Sequence, residues 1–168
     1  MNEMKNLTVA RSMKDLSFGK LMEVYMEGNL ENAQDFWPDE PVSRQIALAE
    51  QDFYQYLQQV FFKTDAAVYL IWEENGSYLS ALRLEPYRDG LLLEALETAP
   101  EYRRKGYAAR LVQAALVYAG GVKIYSHVGK KNEASLRTHE KCGFIKIQDH
   151  AVYADGSVND RCFTLLHE

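Results

Sequence analysis

Asn75-Gly76 separates two runs rich in β-forming residues, 66–72 and 77–84. An Asn-Gly pair in that position is the strongest short-range signal for a tight hairpin, because both residues tolerate the positive φ that a type I′ turn requires. No other feature constrains the chain as much, since it commits the middle of the sequence to antiparallel pairing. A second turn at Arg88-Asp89-Gly90 leads into residues 91–98, which read as the next strand. Three strands therefore form an antiparallel meander.

The period then changes. Over residues 107–119, Ala108, Leu111, Val112, Ala115, Leu116 and Ala119 make a regular apolar stripe at helical spacing, and Gly120-Gly121 ends it. Val122, Ile124, Ser126 and Val128 alternate as a strand. Strand, helix and strand in that order imply a right-handed parallel crossover. Residues 132–142 read as a short helix stopped by Gly143, and residues 144–153 and 162–166 as strands joined by a turn at Asp155-Gly156. Upstream, residues 8–11 read as a short strand. Leu21, Val24 and Tyr25 place a helix over residues 14–27, with Gly28 as its stop. Residues 29–41, with Trp37-Pro38-Asp39 and Pro41, read as a loop. Ser43 then caps a long helix that carries Ile46, Ala49, Phe53, Leu57, Val60 and Phe61 on one face. This order makes the chain α/β with a largely antiparallel sheet.

No repeat, linker or biased tract interrupts it, so residues 1–168 are read as one domain. An apolar content of 47% with only four prolines excludes low-complexity disorder. A chain of this length buries roughly 70% of its unfolded surface and needs no disulfide or metal staple. The longest apolar run, residues 66–72, falls far short of the ~20 residues of a membrane-spanning helix. Residues 1–18 contain Lys5, Arg11 and Lys14 but no apolar core, so no signal peptide is read there. Two cysteines make no disulfide framework, which points to reduced thiols in the cytoplasm. The net charge of −5 speaks against nucleic acid as a partner, because phosphate contacts need a dense basic face. It is compatible with a cationic small substrate.

The stretch Pro100-Glu101-Tyr102-Arg103-Arg104-Lys105-Gly106-Tyr107-Ala108 joins a strand to the start of the regular helix. Free backbone N–H groups and the positive end of the helix dipole gather at such a point and make an anion site. Gly106 and Ala108 keep it free of bulk, and Arg103, Arg104 and Lys105 add three cations beside it. The pattern is neither a P-loop nor a dinucleotide fingerprint.

These residues resemble a known family. Arg103 to Ala108 fit the Arg/Gln-x-x-Gly-x-Gly/Ala motif of the GNAT superfamily of N-acetyltransferases, and Thr98-Ala99-Pro100-Glu101-Tyr102 is similar to the Val-x-Pro-Glu-Tyr that precedes it there. About 25 residues later the family shows an Asn, a helix and a Gly-Phe. Here these are Asn132-Glu133-Ala134-Ser135 and Lys141-Cys142-Gly143-Phe144. The resemblance implies a mixed, mostly antiparallel sheet of six to seven strands with flanking helices, and acetyl-CoA as acyl donor in a cleft between two splayed parallel strands. The main chain of Leu96, Glu97 and Thr98 would then pair with the pantetheine arm. The amides of Arg103, Arg104, Lys105, Gly106, Tyr107 and Ala108 would hold the pyrophosphate. Asn132 would contact the cofactor near its thioester, or start the helix that lines it, with Ser135 on the same face. A homodimer is a further implication.

Two residues suggest acid–base chemistry. Alternation puts Leu92, Glu94, Leu96 and Thr98 on one strand face, so Glu94 sits among leucines, where desolvation raises a carboxyl toward a useful base. It also lies four residues before Thr98, where many family members carry a glutamate that activates the acceptor amine through water. On the short helix, Asn132, Ser135, His139 and Cys142 share one face. His139 stands where the family usually has the tyrosine that protonates the departing thiolate. A histidine can give that proton or serve as a base. Tyr25, Trp37, Tyr54, Tyr87 and Tyr153 are candidate lining for an acceptor pocket. His127, His139, His150 and His167 with Cys142 and Cys162 show no metal-ligand spacing, so no metal is expected. Cys142 reads as a packed thiol.

The leading expectation is therefore transfer of acetyl from acetyl-CoA to the primary amine of a small molecule in a ternary complex. An acyl-CoA-binding module without turnover, and an enzyme acting on a protein or peptide amine, are the alternatives.

Overall fold

Segments of period two build one sheet and segments of period 3.6 cover both its faces. The structure, a computed structural model, describes residues 3–168; Met1 and Asn2, at the head of the stretch read for a targeting signal, lie outside it. The sheet is formed by β1 (Leu7–Ala10), β2 (Val68–Glu74), β3 (Ser77–Tyr87), β4 (Gly90–Thr98), β5 (Ile124–Gly129), β6 (Ile145–Gln148) and β9 (Cys162–His167). Their order is β1-β2-β3-β4-β5-β9-β6, and every pairing is antiparallel except β4 with β5. The β2–β3 hairpin turns at Asn75 (φ 51) and Gly76 (φ 78), the two positive angles that its turn type requires. The β4–β5 crossover runs through α3 (Tyr107–Ala119), which ends at the left-handed Gly120.

α3 and α4 (Glu133–Lys141) lie on one face of the sheet. There Leu111, Val112, Ala115, Cys142 and Phe144 pack with Leu70, Leu82, Leu84 and Leu93. α1 (Phe18–Phe36) and α2 (Val42–Gln59) cover the other face, where Leu21, Val24, Tyr25, Leu57 and Phe61 bury Tyr69, Ile71 and Ala81. Among the described residues no helix is long and apolar enough to cross a membrane.

Four local expectations are corrected. The first helix does not stop at Gly28 but continues through what read as loop to Phe36, where buried Ala33 extends its inner face. α2 is opened by Pro41 with no side-chain cap, and Ser43 lies inside it. Pro41 is extended there, at φ −64 and ψ 153, and its side chain offers no acceptor to the first turn. Val60 is exposed beyond the end of α2. The strand expected over 144–153 breaks after Gln148, and β7 (Ala151–Val152) leaves the sheet to pair with β8 (Val158–Asn159) in a separate ribbon.

Candidate active site

Strands β4 and β5 pair in parallel at Leu91–Ile124, Leu92–Tyr125 and Leu93–Ser126, and the register ends there. The cause lies on the other edge of β4. Between Ala81–Glu97 and Arg83–Glu94, β3 advances by two residues and β4 by three, so β4 carries a bulge. Ala95 takes up the extra residue at φ 55, in the left-handed region, and the Tyr25 hydroxyl donates to its carbonyl at 2.6 Å. Bulges bend a strand and end its pairing. The β5-facing main chain of residues 94–98 is thereby left without a partner strand.

The bulge also corrects the expected face. Leu93 and Leu96 both pack on the α3 side, whereas Leu92 lies with Tyr87 and Tyr125, and Ala95 packs on the α1 side. Glu94 therefore does not share a face with Leu96. It turns toward Arg83, whose guanidinium carbon lies 5.0 Å from the ring centre of Tyr56, 5.5 Å from Phe61 and 6.0 Å from Phe53.

The β4–α3 connection presents the anion site. Gly106 opens α3 at φ 85, and a Cβ built there meets no atom within 4 Å. The first helical bond runs from Arg110 N–H to Gly106 O, so the three amides before it are free of helix partners. Arg104 and Lys105 are exposed, with Lys105 Nζ 5.7 Å above the Tyr102 ring. Arg103 departs from the expected role. Its amide is donated to Pro100 O, its Nε to Thr98 O at 3.1 Å, and its Nη atoms lie 3.1 Å from Glu27 and 3.6 Å from Glu97. It ties the end of β4 to α1. Tyr107 sends its hydroxyl to Glu74 at 3.2 Å, and Thr98 Oγ1 lies 3.1 Å from Ser80 Oγ.

Asn132 caps α4, accepting from Ser135 N–H at 3.1 Å. His139 is 1% exposed. Its Nδ1 lies 2.7 Å from Ser135 O and its Nε2 2.9 Å from Ser126 Oγ, while Phe144 packs edge-on against the ring. A carbonyl can only accept, so Nδ1 carries the proton and Nε2 accepts from Ser126. Burial holds the imidazole below its usual range. Both nitrogens are thus engaged inside the protein, which speaks against the acid role expected of His139.

On the opposite face, α1, α2 and β4 enclose a cavity of about 430 Å³ whose lining includes Tyr25, Trp37, Asp52, Tyr56, Arg83, Ala95 and Glu97. Burial pushes the neighbouring Glu94 carboxyl up to about 7, with Arg83 opposing and Glu85 assisting. Glu97 is also raised, first by burial, against the pull of Arg103. Of the five aromatic candidates, Tyr25 and Trp37 line this cavity. Tyr54 borders a separate shallow depression beside Phe18, and Tyr87 and Tyr153 flank His127. Among the described residues no cluster of His, Cys, Asp and Glu is arranged to hold a metal. Cys142 is buried, which raises its thiol.

A bulged β4, a parallel neighbour that diverges from it, and a glycine-opened α3 form one connected arrangement. The sequence profile of the Acetyltransferase (GNAT) family matches residues 29–144, well over half of the chain. The chain belongs to the GNAT family. It is an acetyl-CoA-dependent N-acetyltransferase. Among curated proteins it is similar to spermidine N(1)-acetyltransferase of Vibrio cholerae, 25% identical over 142 residues that cover 80% of this chain and 79% of that one. Among solved structures, the PaiA N-acetyltransferase of Thermoplasma acidophilum in complex with coenzyme A aligns with a TM-score of 0.65 at 14% identity, covering 96% of this chain and 98% of that chain. The Vibrio cholerae spermidine N-acetyltransferase with CoA and spermine aligns with a TM-score of 0.58 at 21% identity, covering 97% and 95%.

Within this GNAT fold, the sequence reading missed the residues that α1 and α2 bring to the cavity. Asn29, Asn32 and Asp52 had no motif to mark them, and Arg83 read only as a polar residue of a strand. Recognising that the helix continues past Gly28 would have placed Asn29 and Asn32 on it.

Proposed function

We propose that the protein moves the acetyl group of acetyl-CoA to the primary amine of a small molecule by direct attack in a ternary complex. One observation carries this reading: a carboxyl that burial pushes up to about 7 stands beside a half-open cavity whose wall includes Ala95 and Glu97, just past the last residue of β4 paired with β5. The free amides at Tyr107 and Ala108 suit a pyrophosphate, with Arg104 and Lys105 adding charge, and the open space above Gly106 leaves room for it. The edge of β4 that faces β5, without a partner strand beyond Leu93, suits the amide-bearing pantetheine arm. Acetyl-CoA supplies the activated acyl group.

An amine reaches the site as an ammonium and must lose a proton before it can attack. Glu94 takes that proton, and water relays it, because Arg83 rather than Glu94 faces the cavity. With His139 sealed in its own hydrogen bonds, the departing sulfur takes its proton from water. The Vibrio cholerae relative is named for spermidine, a polyamine, and the carboxylates of Glu97 and Asp52 on the cavity wall suit an ammonium group.

A thiol-release screen with acetyl-CoA against polyamines, amino acids, aminoglycosides and peptides tests the reading. Release with at least one small amine is expected. Acetyl-CoA binding with no release across the panel would instead mark a binding module, and release with peptides alone an enzyme of protein amines.

A further inference from the structure

Arg83 is a largely buried cation whose donors make no hydrogen bond. Its side chain is 15% exposed and packed among Tyr56, Phe61 and Phe53, and it forms part of the cavity wall. Its charged neighbour Glu94 stands 3.6 Å from Nε, an ion pair outside hydrogen-bond reach, and Nε is buried without a hydrogen bond. Among the described residues neither Nη atom makes a hydrogen bond. A guanidinium taken out of water demands acceptors, and leaving its donors unmet is costly. The aromatic rings hold its position but supply no lone pairs in its plane. The same cavity carries two carboxylates, Asp52 and Glu97. It therefore has both a cationic and an anionic wall.

We propose that the acceptor is an amino-carboxylate, a small molecule whose carboxylate is bound by Arg83 while its ammonium lies toward Glu97 and Asp52. The planar fork of an Arg matches the two oxygens of a carboxylate, and such pairs are stronger than neutral hydrogen bonds. A polyamine offers nothing to Arg83 and brings another positive charge beside it. This inference rests on the reading of the cavity as the acceptor site.

Lysine, lysinamide and cadaverine form a matched set that differs only in the carboxylate, its amide or nothing. With wild-type protein and acetyl-CoA, kcat/KM for lysine is expected to exceed that for cadaverine by about tenfold or more, with lysinamide near cadaverine. In Arg83→Gln the lysine-to-cadaverine ratio falls by at least that factor, and Arg83→Lys retains part of it. The ratio within one variant is insensitive to how much of that variant is folded. Cadaverine equal to or better than lysine in the wild type, or an unchanged ratio in Arg83→Gln, overturns the inference. Turnover of spermidine with none of the three also overturns it but leaves the proposed reaction standing. Bound acetyl-CoA with turnover of no amine at all removes the reading on which it rests.

Discussion

The buried polar groups on the two sides of the diverging strands are treated in opposite ways. On the α4 side, His139 has both ring nitrogens engaged, one by Ser126 and one by the Ser135 carbonyl. On the α1–α2 side, Tyr69 Oη, Arg83 Nε and Glu94 Oε1 are buried without a hydrogen bond, the last two facing each other as an ion pair at 3.6 Å. Burial shifts titration in both places, lowering His139 and raising Glu94. The difference lies in what the groups can still do. A satisfied buried group holds elements together, and an unsatisfied one is free to bind a ligand or take a proton. By that criterion we propose that the α4 side serves structure and the cavity side chemistry.

The sharpest way to break this division is to remove each titratable group in turn. Glu94→Gln is expected to lower acetyl transfer at neutral pH by about 10²–10⁴, the usual worth of a positioned base, with acetyl-CoA affinity retained. A loss below about threefold in steady-state kinetics would return Glu94 to the background. His139→Ala should act on stability instead, by about 2–4 kcal/mol in denaturant unfolding, since it empties a packed site and orphans Ser126. Its sign with pH is definite. The folded imidazole titrates below its ordinary value of 6.5, so its contribution is complete above that pH and is lost as pH falls through the folded value. A folded His139→Ala protein that binds acetyl-CoA but turns over at a hundredth of the wild-type rate would contradict the division.

The cofactor side offers smaller effects. Gly106→Val puts a branched side chain at φ 85 and into the open space above the loop, so calorimetry should show CoA binding weakened at least tenfold. Wild-type affinity in that variant would move the pyrophosphate elsewhere. Asn132→Ala removes the α4 cap and should destabilise the protein by about 1 kcal/mol in the same unfolding assay. A loss of CoA affinity beyond that scale would give Asn132 the cofactor contact that its capping bond does not require.

What could be read from the sequence was local chemistry. Asn75-Gly76 and Gly120-Gly121 mark their boundaries because the backbone angles there favour those residues, and the α3 stripe is legible because its middle, Leu111, Val112 and Ala115, is buried against the sheet. Gly28 misled because helix and stop signals share the residue. In the structure it lines the cavity, where a Cβ would come within 4.0 Å of Glu97 Oε1. The bulge had no signal at all, because nothing about an alanine announces φ 55. Reading β4 without its bulge put Glu94 among leucines, whereas in the structure it faces Arg83. The helix periodicity put His139 on the correct face of α4, but whether its nitrogens were free depended on Ser126, a residue of another element.

The pH dependence of kcat/KM, measured for the wild type and for Glu94→Gln, tests the central claim most directly. Glu94 must be ionised to accept a proton, so activity should rise with pH through an acidic limb near 7, and that limb should vanish in Glu94→Gln. His139→Gln should keep the limb in place. A limb that persists unchanged in Glu94→Gln, or disappears in His139→Gln, would contradict the account and transfer the chemistry to the α4 side.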